Sequence, residues 1–287
     1  MVFLKLSTSV VDNAEDLATC ETNLSSCTLL ALDCEGVCLG RMGELTIVQV
    51  SSRSHCYLFD VLTLEKKSAA VTFLKKLLED SNIVKIVHDV KMDSDALYHC
   101  LGISISNVHD TQAWDMVING REENLNRTLI RNNCTPNAER DSNVYCINYR
   151  FWAQRPLTEL MIDWASGDVG CLFELYDAQI RHVRDSDHCG SVEARCEILS
   201  NERLSLRDKI LQTFQIREDK VGLFIGTGGK NIKRLMSHIP GTFYHIERGG
   251  KEISGSQRDV YVYAPDEFTM MMATASLKKY TLEWHYK

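Results

Sequence analysis

Two rhythms of apolar and polar positions run through the first two thirds of the chain. A continuous apolar run at residues 29–32 leads into Asp33 and Glu35, and apolar stretches follow at 45–50 and 55–61. Short polar turns, one bracketed by Gly40 and Gly43, separate them, and strands in such close series predict an antiparallel meander. The rhythm then changes to helical spacing over residues 69–79, with Val71, Leu74, Leu77 and Leu78 on one stripe. A fourth apolar run at 83–87 is followed by a helical pattern at 92–101, with Met92, Ala96, Leu97, Cys100 and Leu101 facing inward, and by a short strand at 106–110. An amphipathic helix at 16–24 precedes them all. The expected fold is a mixed α/β sheet, antiparallel first and then alternating with helices.

Residues 120–150 are polar, without a clear period, and read as an irregular region or short helices. A long helical pattern returns at 157–180, its stripe made of Leu157, Leu160, Met161, Trp164, Ala165, Leu172, Leu175 and Tyr176. Residues 184–201 are polar again and read as a linker or a poorly packed connecting helix. The last part repeats the alternation on a smaller scale. It predicts a strand at 210–216, a short helix at 220–225 and a break at Gly226-Thr227-Gly228-Gly229. A second helix carries Ile232, Leu235, Met236 and Ile239 on one face, strands follow at 242–247 and 259–264, and Asp266 caps a final helix.

The acids change the picture. Residues two apart on a strand share a face, so Asp33 and Glu35 leave the sheet side by side. Two like charges that close call for a counter-charge, and a divalent cation supplies one; a solvated strand end is the plainer alternative. Asp93 begins a helix just beyond a strand end, where open α/β sheets bind ligands, although the helix dipole alone also favours an acid there. Asp95, about 200° round from it, is expected to face solvent. Asp168 falls on the apolar stripe of its helix, where a carboxylate is costly unless paired or bound to metal. Four carboxylates brought together would suit two divalent ions, with all-oxygen ligands implying magnesium or manganese.

Composition narrows the class. With 287 residues, 44% hydrophobic and 25% charged, the chain has room for a large domain and a small one. No apolar run reaches a membrane-spanning length, and the first nine residues are too few for a secretory signal. The 11 cysteines show neither a CxxC pair nor a zinc spacing, which fits a reduced cytoplasmic or nuclear compartment. Residues 206–287 hold 13 basic against 9 acidic residues, and the remainder 19 against 30. The basic last part is therefore the better candidate for phosphate contact.

Over residues 29–178 the motifs resemble the DEDD superfamily of 3′–5′ exonucleases, in its RNase D branch. Asp33-Cys34-Glu35-Gly36 resembles the first motif, and His88 followed by Asp93 and Leu97 resembles the second. Asp110-Thr111-Gln112, the Trp152 to Leu157 run with Arg155 and Pro156, and Trp164-Ala165-Ser166-Gly167-Asp168-Val169 resemble the remainder. The wording from Val87 to Gln112 is similar to an Egalitarian-like exonuclease-domain group linked to small-RNA and transcript biology. The resemblance implies an RNase H-like mixed sheet, with Asp33, Glu35, Asp93 and Asp168 holding two Mg²⁺ or Mn²⁺ ions. It also implies a tyrosine that orients the attacking water at the position of Trp164, whose indole donates but does not accept. Gly167 departs from a good helix former, at about 1 kcal/mol relative to Ala.

Residues 206–287 resemble a type I KH domain, with Ile225, Gly226, Thr227, Gly228, Gly229 and Lys230 as its GxxG loop. Glycines let the backbone approach phosphates at a helix start, and Lys230 and Lys233 add charge. Such a domain is implied to clamp about four single-stranded nucleotides. The expected organisation is an exonuclease-like domain at 1–184, a linker at 185–205 and an α+β KH domain at 206–287. The expected activity is metal-dependent 3′–5′ hydrolysis of single-stranded RNA, with DNA an alternative substrate. An inactive RNA-binding scaffold, or a protein-interaction adaptor, are the competing readings.

Overall fold

The computed structural model describes residues 6–65, 68–137, 144, 148, 150–183, 189–201, 209–246 and 257–278. The chain divides into two compact units, Met1–Arg203 and Leu204–Lys287.

The first unit is built on a six-stranded sheet in the order β1-β4-β3-β2-β5-β6: β1 (Ser7–Val11), β2 (Leu29–Val37), β3 (Glu44–Ser51), β4 (His55–Phe59), β5 (Val84–Val87) and β6 (Val108–Asp110). β2, β3 and β4 are antiparallel neighbours, β5 and β6 extend the sheet in parallel from β2, and β1 pairs in parallel with β4. The mixed meander is as expected; β1 is an addition. Its five residues are too few to announce a period, and it is made by pairing with a strand more than forty residues away.

Alternation along the strands gives the sheet two buried faces. Leu30, Leu32, Cys34, Val48, Val50, Tyr57, Phe59 and Val87 pack with α1 (Ala14–Leu24), α2 (Ala69–Glu79) and the helix after β5. Ala31, Ile47, Cys56, Leu58 and Ile86 face α6 (Glu159–Gly170), α7 (Leu172–Val183) and a 3₁₀ turn at Phe151–Ala153. The long pattern at 157–180 is thus two helices that meet at Cys171, which caps α6 by donating its N–H to Gly167 O. Between β6 and the 3₁₀ turn lie α4 (Thr111–Asn119), before the stretch read as irregular or short helices, and α5 (Leu125–Arg131), a short helix within it. Arg131 is engaged by Asp115 and Glu123, and Arg155 by Asp60 and three backbone carbonyls. Both arginines hold the fold together.

Two further expectations change. The helix after β5 runs as α3 (Lys91–Ala96) and continues as a π-helix over Leu97–Leu101. Asp95, expected in solvent, is fully buried. It accepts from Arg41 N at 2.8 Å, Nε at 3.0 Å and Nη2 at 2.6 Å. The turn between β2 and β3 folds over α3 and brings the guanidinium to it, a contact no local period reports. Within the stretch read as a linker or a poorly packed connecting helix, α8 (Cys189–Asn201) is a helix that does pack, with Val192 and Cys196 against Ala113 and Trp114 and Ser200 O accepting from Ser94 Oγ.

The second unit is a three-stranded antiparallel sheet, β7 (Ile210–Arg217), β8 (Phe243–Ile246) and β9 (Gln257–Ala264), in the order β7-β9-β8. Helices α9 (Glu218–Ile225), α10 (Lys230–His238) and α11 (Glu267–Leu277) cover it. Phe224, Val260, Val262, Ala264 and Ala273 centre its core, and Ile232, Leu235, Met236 and Ile239 pack against that core as their spacing predicted. Asp266 caps α11, accepting from Thr269 N at 2.7 Å.

His109 lies in the first core, 4% exposed, stacked 4.4 Å from Trp114 and 3.0 Å from Gln179 Oε1. Burial lowers its pKa to about 4. In acid the unfolded chain takes up this proton first, so the contribution of neutral His109 is present above pH 6.5 and is lost as pH falls towards 4. Urea unfolding of wild type and His109→Gln at pH 7 and 4.5 is expected to show a difference that narrows by about 2 kcal/mol at the lower pH.

Candidate metal centre and nucleic-acid surface

β2 sets the first two acids. With Leu32 and Cys34 committed to one face, Asp33 and Glu35 fall on the other, beneath α6. A bulge follows at once: Glu35 pairs with Ile47 and Gly36 with Leu45, and the skipped Thr46 donates its hydroxyl to Glu35 O at 3.0 Å. Such a bulge bends a strand and re-aims the adjoining side chain. No residue pattern announced it.

α6 sets the third. Met161, Ala165 and Val169 are fully buried against the sheet, and Asp168 stands beside Val169 on the same side. One oxygen each of Asp33, Glu35 and Asp168 lie within 4.8 Å of one another. All three residues are half-buried.

Asp93 is not part of that trio but belongs to its field. It is the third residue of α3 and 4% exposed. Burial pushes its carboxyl well above the usual carboxylate range, and Asp33, Asp89, Glu35 and Asp110 push it further. Opposite Asp33 in the ladder stands Gln49, fully buried, with neither side-chain atom hydrogen-bonded within the protein. Directly opposed residues share a face, so this amide lies on the acids' side of the sheet. All-oxygen donors, crowded acids and an unsatisfied amide fit a hard divalent cation with its water.

The turn beyond β5 is fixed by Asp110, whose carboxylate accepts from Asp89 N, Val90 N and Gln112 N. That anchors Asp89 at φ 60° and starts α3 beside β2. His88 is held at both nitrogens, by Thr111 Oγ1 at 2.9 Å and Glu123 O at 3.0 Å, and burial lowers its pKa. Trp164 sits one turn before Asp168, half-buried, its ring 5.5 Å from that of Phe151.

In the second unit the loop joining α9 to α10 carries Gly226, Gly228 and Gly229, all with positive φ (73°, 60° and 76°), which side chains rarely adopt. Asn231 Nδ2 donates to Leu223 O at 2.7 Å and braces the loop from behind. Thr227, Gly228, Lys230 and Lys233 are exposed. No side chain caps the start of α10, which leaves its first N–H groups for an anion.

The model of a 3′–5′ exonuclease family matches residues 8–181. The chain belongs to this family. A KH domain model matches residues 211–267. Among curated proteins, piRNA biogenesis protein EXD1 of Mus musculus is 39% identical over 90 residues, 31% of this chain and 16% of that protein. Exosome complex component 10 of Rattus norvegicus is 27% identical over 169 residues, 58% of this chain and 18% of that protein. The chain thus spans less than a fifth of the length of these relatives. Trypanosoma brucei RNase D superposes with a TM-score of 0.62 and 28% identity, covering 70% of this chain and 73% of that one; its complex with RNA U12 gives 0.59 and 28%, covering 69% and 70%. The family normally uses divalent metal ions, and Asp33, Glu35 and Asp168 are a candidate cluster for one.

Replacing Asp93 by Asn removes a carboxyl whose charged form burial and four neighbouring acids disfavour. The metal-free variant is expected to melt about 2–4 °C above wild type at pH 7.5, as roughly 1 kcal/mol would give, in a thermal scan with chelator present. An unchanged or lower Tm would mean that Asp93 is not strained by its neighbours.

Proposed function

We propose that the chain is a 3′–5′ exoribonuclease acting on single-stranded RNA, with Asp33, Glu35, Asp93 and Asp168 as ligands of a Mg²⁺ or Mn²⁺ pair. The observation that carries this reading is the meeting of three carboxylate oxygens within 4.8 Å, from β2 and α6, beside a fourth acid that is buried. Bound ions of this kind supply a water nucleophile and stabilise the departing 3′-oxygen in phosphodiester cleavage. The protein's part is placement. β2 and its bulge hold Asp33 and Glu35, α3 brings in Asp93, and α6 delivers Asp168. Gln49 offers an amide donor and an acceptor beside Asp33, suited to ordering water there.

In this reading residues 1–184 form the hydrolytic domain and 206–287 the KH domain that holds the RNA strand. Residues 225–230 and Lys233 would contact phosphates, with N–H groups and lysines meeting the backbone while bases are read elsewhere. The relation to a piRNA biogenesis protein supports a place in small-RNA handling.

A second reading, an RNA-binding protein that does not cleave, is favoured by one residue. Trp164 stands where the family's tyrosine is implied to orient water, and it leans on Phe151. Incubation of 5′-labelled single-stranded RNA with the full chain and Mn²⁺, beside Asp33→Ala, separates the two. Exonuclease action predicts a shortening ladder that the variant loses by at least about a hundredfold. An intact strand that shifts on a native gel would establish the second reading.

If water placement limits the rate, Trp164→Tyr is expected to raise kcat about tenfold or more with little change in KM. Equal single-turnover rates for the two proteins would remove Trp164 as the reason for slow turnover.

A further inference from the structure

The segment before the 3₁₀ turn holds the site from outside. Asn137 donates from Nδ2 to Asp168 Oδ1 at 2.6 Å. Its own backbone is clasped at both ends by one side chain of α5. Asn126 Oδ1 accepts from Asn137 N at 2.8 Å, and Asn126 Nδ2 donates to Asn137 O at 3.2 Å. A single side-chain amide thereby satisfies the donor and the acceptor of residue 137 and fixes where the second amide points.

The third partner is Gly167. A Cβ there would lie 2.8 Å from Asn137 Oδ1 and 3.3 Å from its Nδ2. α6 runs unbroken through this glycine, so it does not serve to end the helix. It opens the helix surface to the amide. The atoms a methyl group would strike are the far end of a side chain, so Asn137 would swing away and the backbone would stand. Its hydrogen bond to Asp168 would go with it.

We propose that Asn137 is a positioning residue for Asp168 as a metal ligand, held by Asn126 and admitted by Gly167. This rests on the reading of Asp168 as a ligand. A carboxylate shared between a cation and a fixed N–H donor keeps its plane on binding, whereas a free one must be ordered by the ion. Partners of this kind typically account for a factor of 10–100 in metal affinity. The proposal explains why a residue unfavourable in a helix interior stands next to the ligand.

The test is Mn²⁺ binding to the full chain without RNA, followed by the electron paramagnetic resonance of free Mn²⁺, with a thermal melt of each protein. Asp168→Ala sets the scale. Asn137→Ala and Asn126→Ala are expected to bind Mn²⁺ about tenfold more weakly than wild type. Gly167→Ala is expected to weaken binding similarly while melting no lower than wild type, because alanine is the better helix former. Glu174→Gln alters another anchor of the same segment, the acceptor of Thr135 N at 3.1 Å, and is expected to leave affinity unchanged. Wild-type affinity in Asn137→Ala and Gly167→Ala, with loss in Asp168→Ala, would overturn the positioning role and keep the metal site. Weakening in Glu174→Gln equal to that in Asn137→Ala would reduce the effect to packing and overturn it too. Equal binding by wild type and Asp168→Ala would remove Asp168 as a ligand, and the proposal with it.

Discussion

Four carboxylates gathered at one end of a buried sheet are the constraint on which the first unit depends. Asp33, Glu35 and Asp168 approach within 4.8 Å, and Asp93 is buried in their field. Like charges in a medium less polarisable than water repel by several kcal/mol at such distances. Nothing local would keep them together. They are held by their surroundings: the two-faced burial of β2, the seating of Met161, Ala165 and Val169 on the sheet, and the hydrogen-bond clamp of Asp110 on the turn before α3. The core stabilises an arrangement that the acids, without a counter-charge, oppose.

That opposition is informative about function. A buried carboxyl driven upward by other acids marks a functional site more often than a structural one, because structural acids are paired with bases. The chain provides the contrast within itself. Asp95, two residues from Asp93 and as deeply buried, is met by the Arg41 guanidinium and backbone N–H. Asp60 is met by Arg155, and Asp115 by Arg131. The neighbours that dominate the field of Asp93 are acids.

Much of this was legible because it depends on period alone. The strand period places Asp33 and Glu35 on one face, and the apolar stripe containing Asp168 turns it towards the sheet. The positive-φ glycines and the stripe of α10 likewise follow from residue type and spacing. What was not legible comes from contacts distant in sequence. Asp95 was expected in solvent because its helix was counted as an isolated cylinder, and only the folded turn brings Arg41 to it. The bulge after Glu35 depends on which residue of β3 is skipped. The break between α6 and α7 falls at Cys171, a residue that carries no stop signal. Asn126 and Asn137, in a stretch read as irregular or short helices, gain meaning only through each other.

Trp164, which departs from the family motif, and Gly167, a poor helix former, lie within one turn of Asp168, and each has an answering side chain. Phe151 packs against the indole, and Asn137 occupies the space the glycine leaves. A site drifting out of use would shed its most costly members first. Those are the clustered acids, since neutralising Asp93, Asp33 or Glu35 relieves repulsion among them. Here the acids stand and the residues around them are refitted. In the proposed reading, the variation therefore lies in how Asp168 and the reacting water are held, with the clustered acids unchanged.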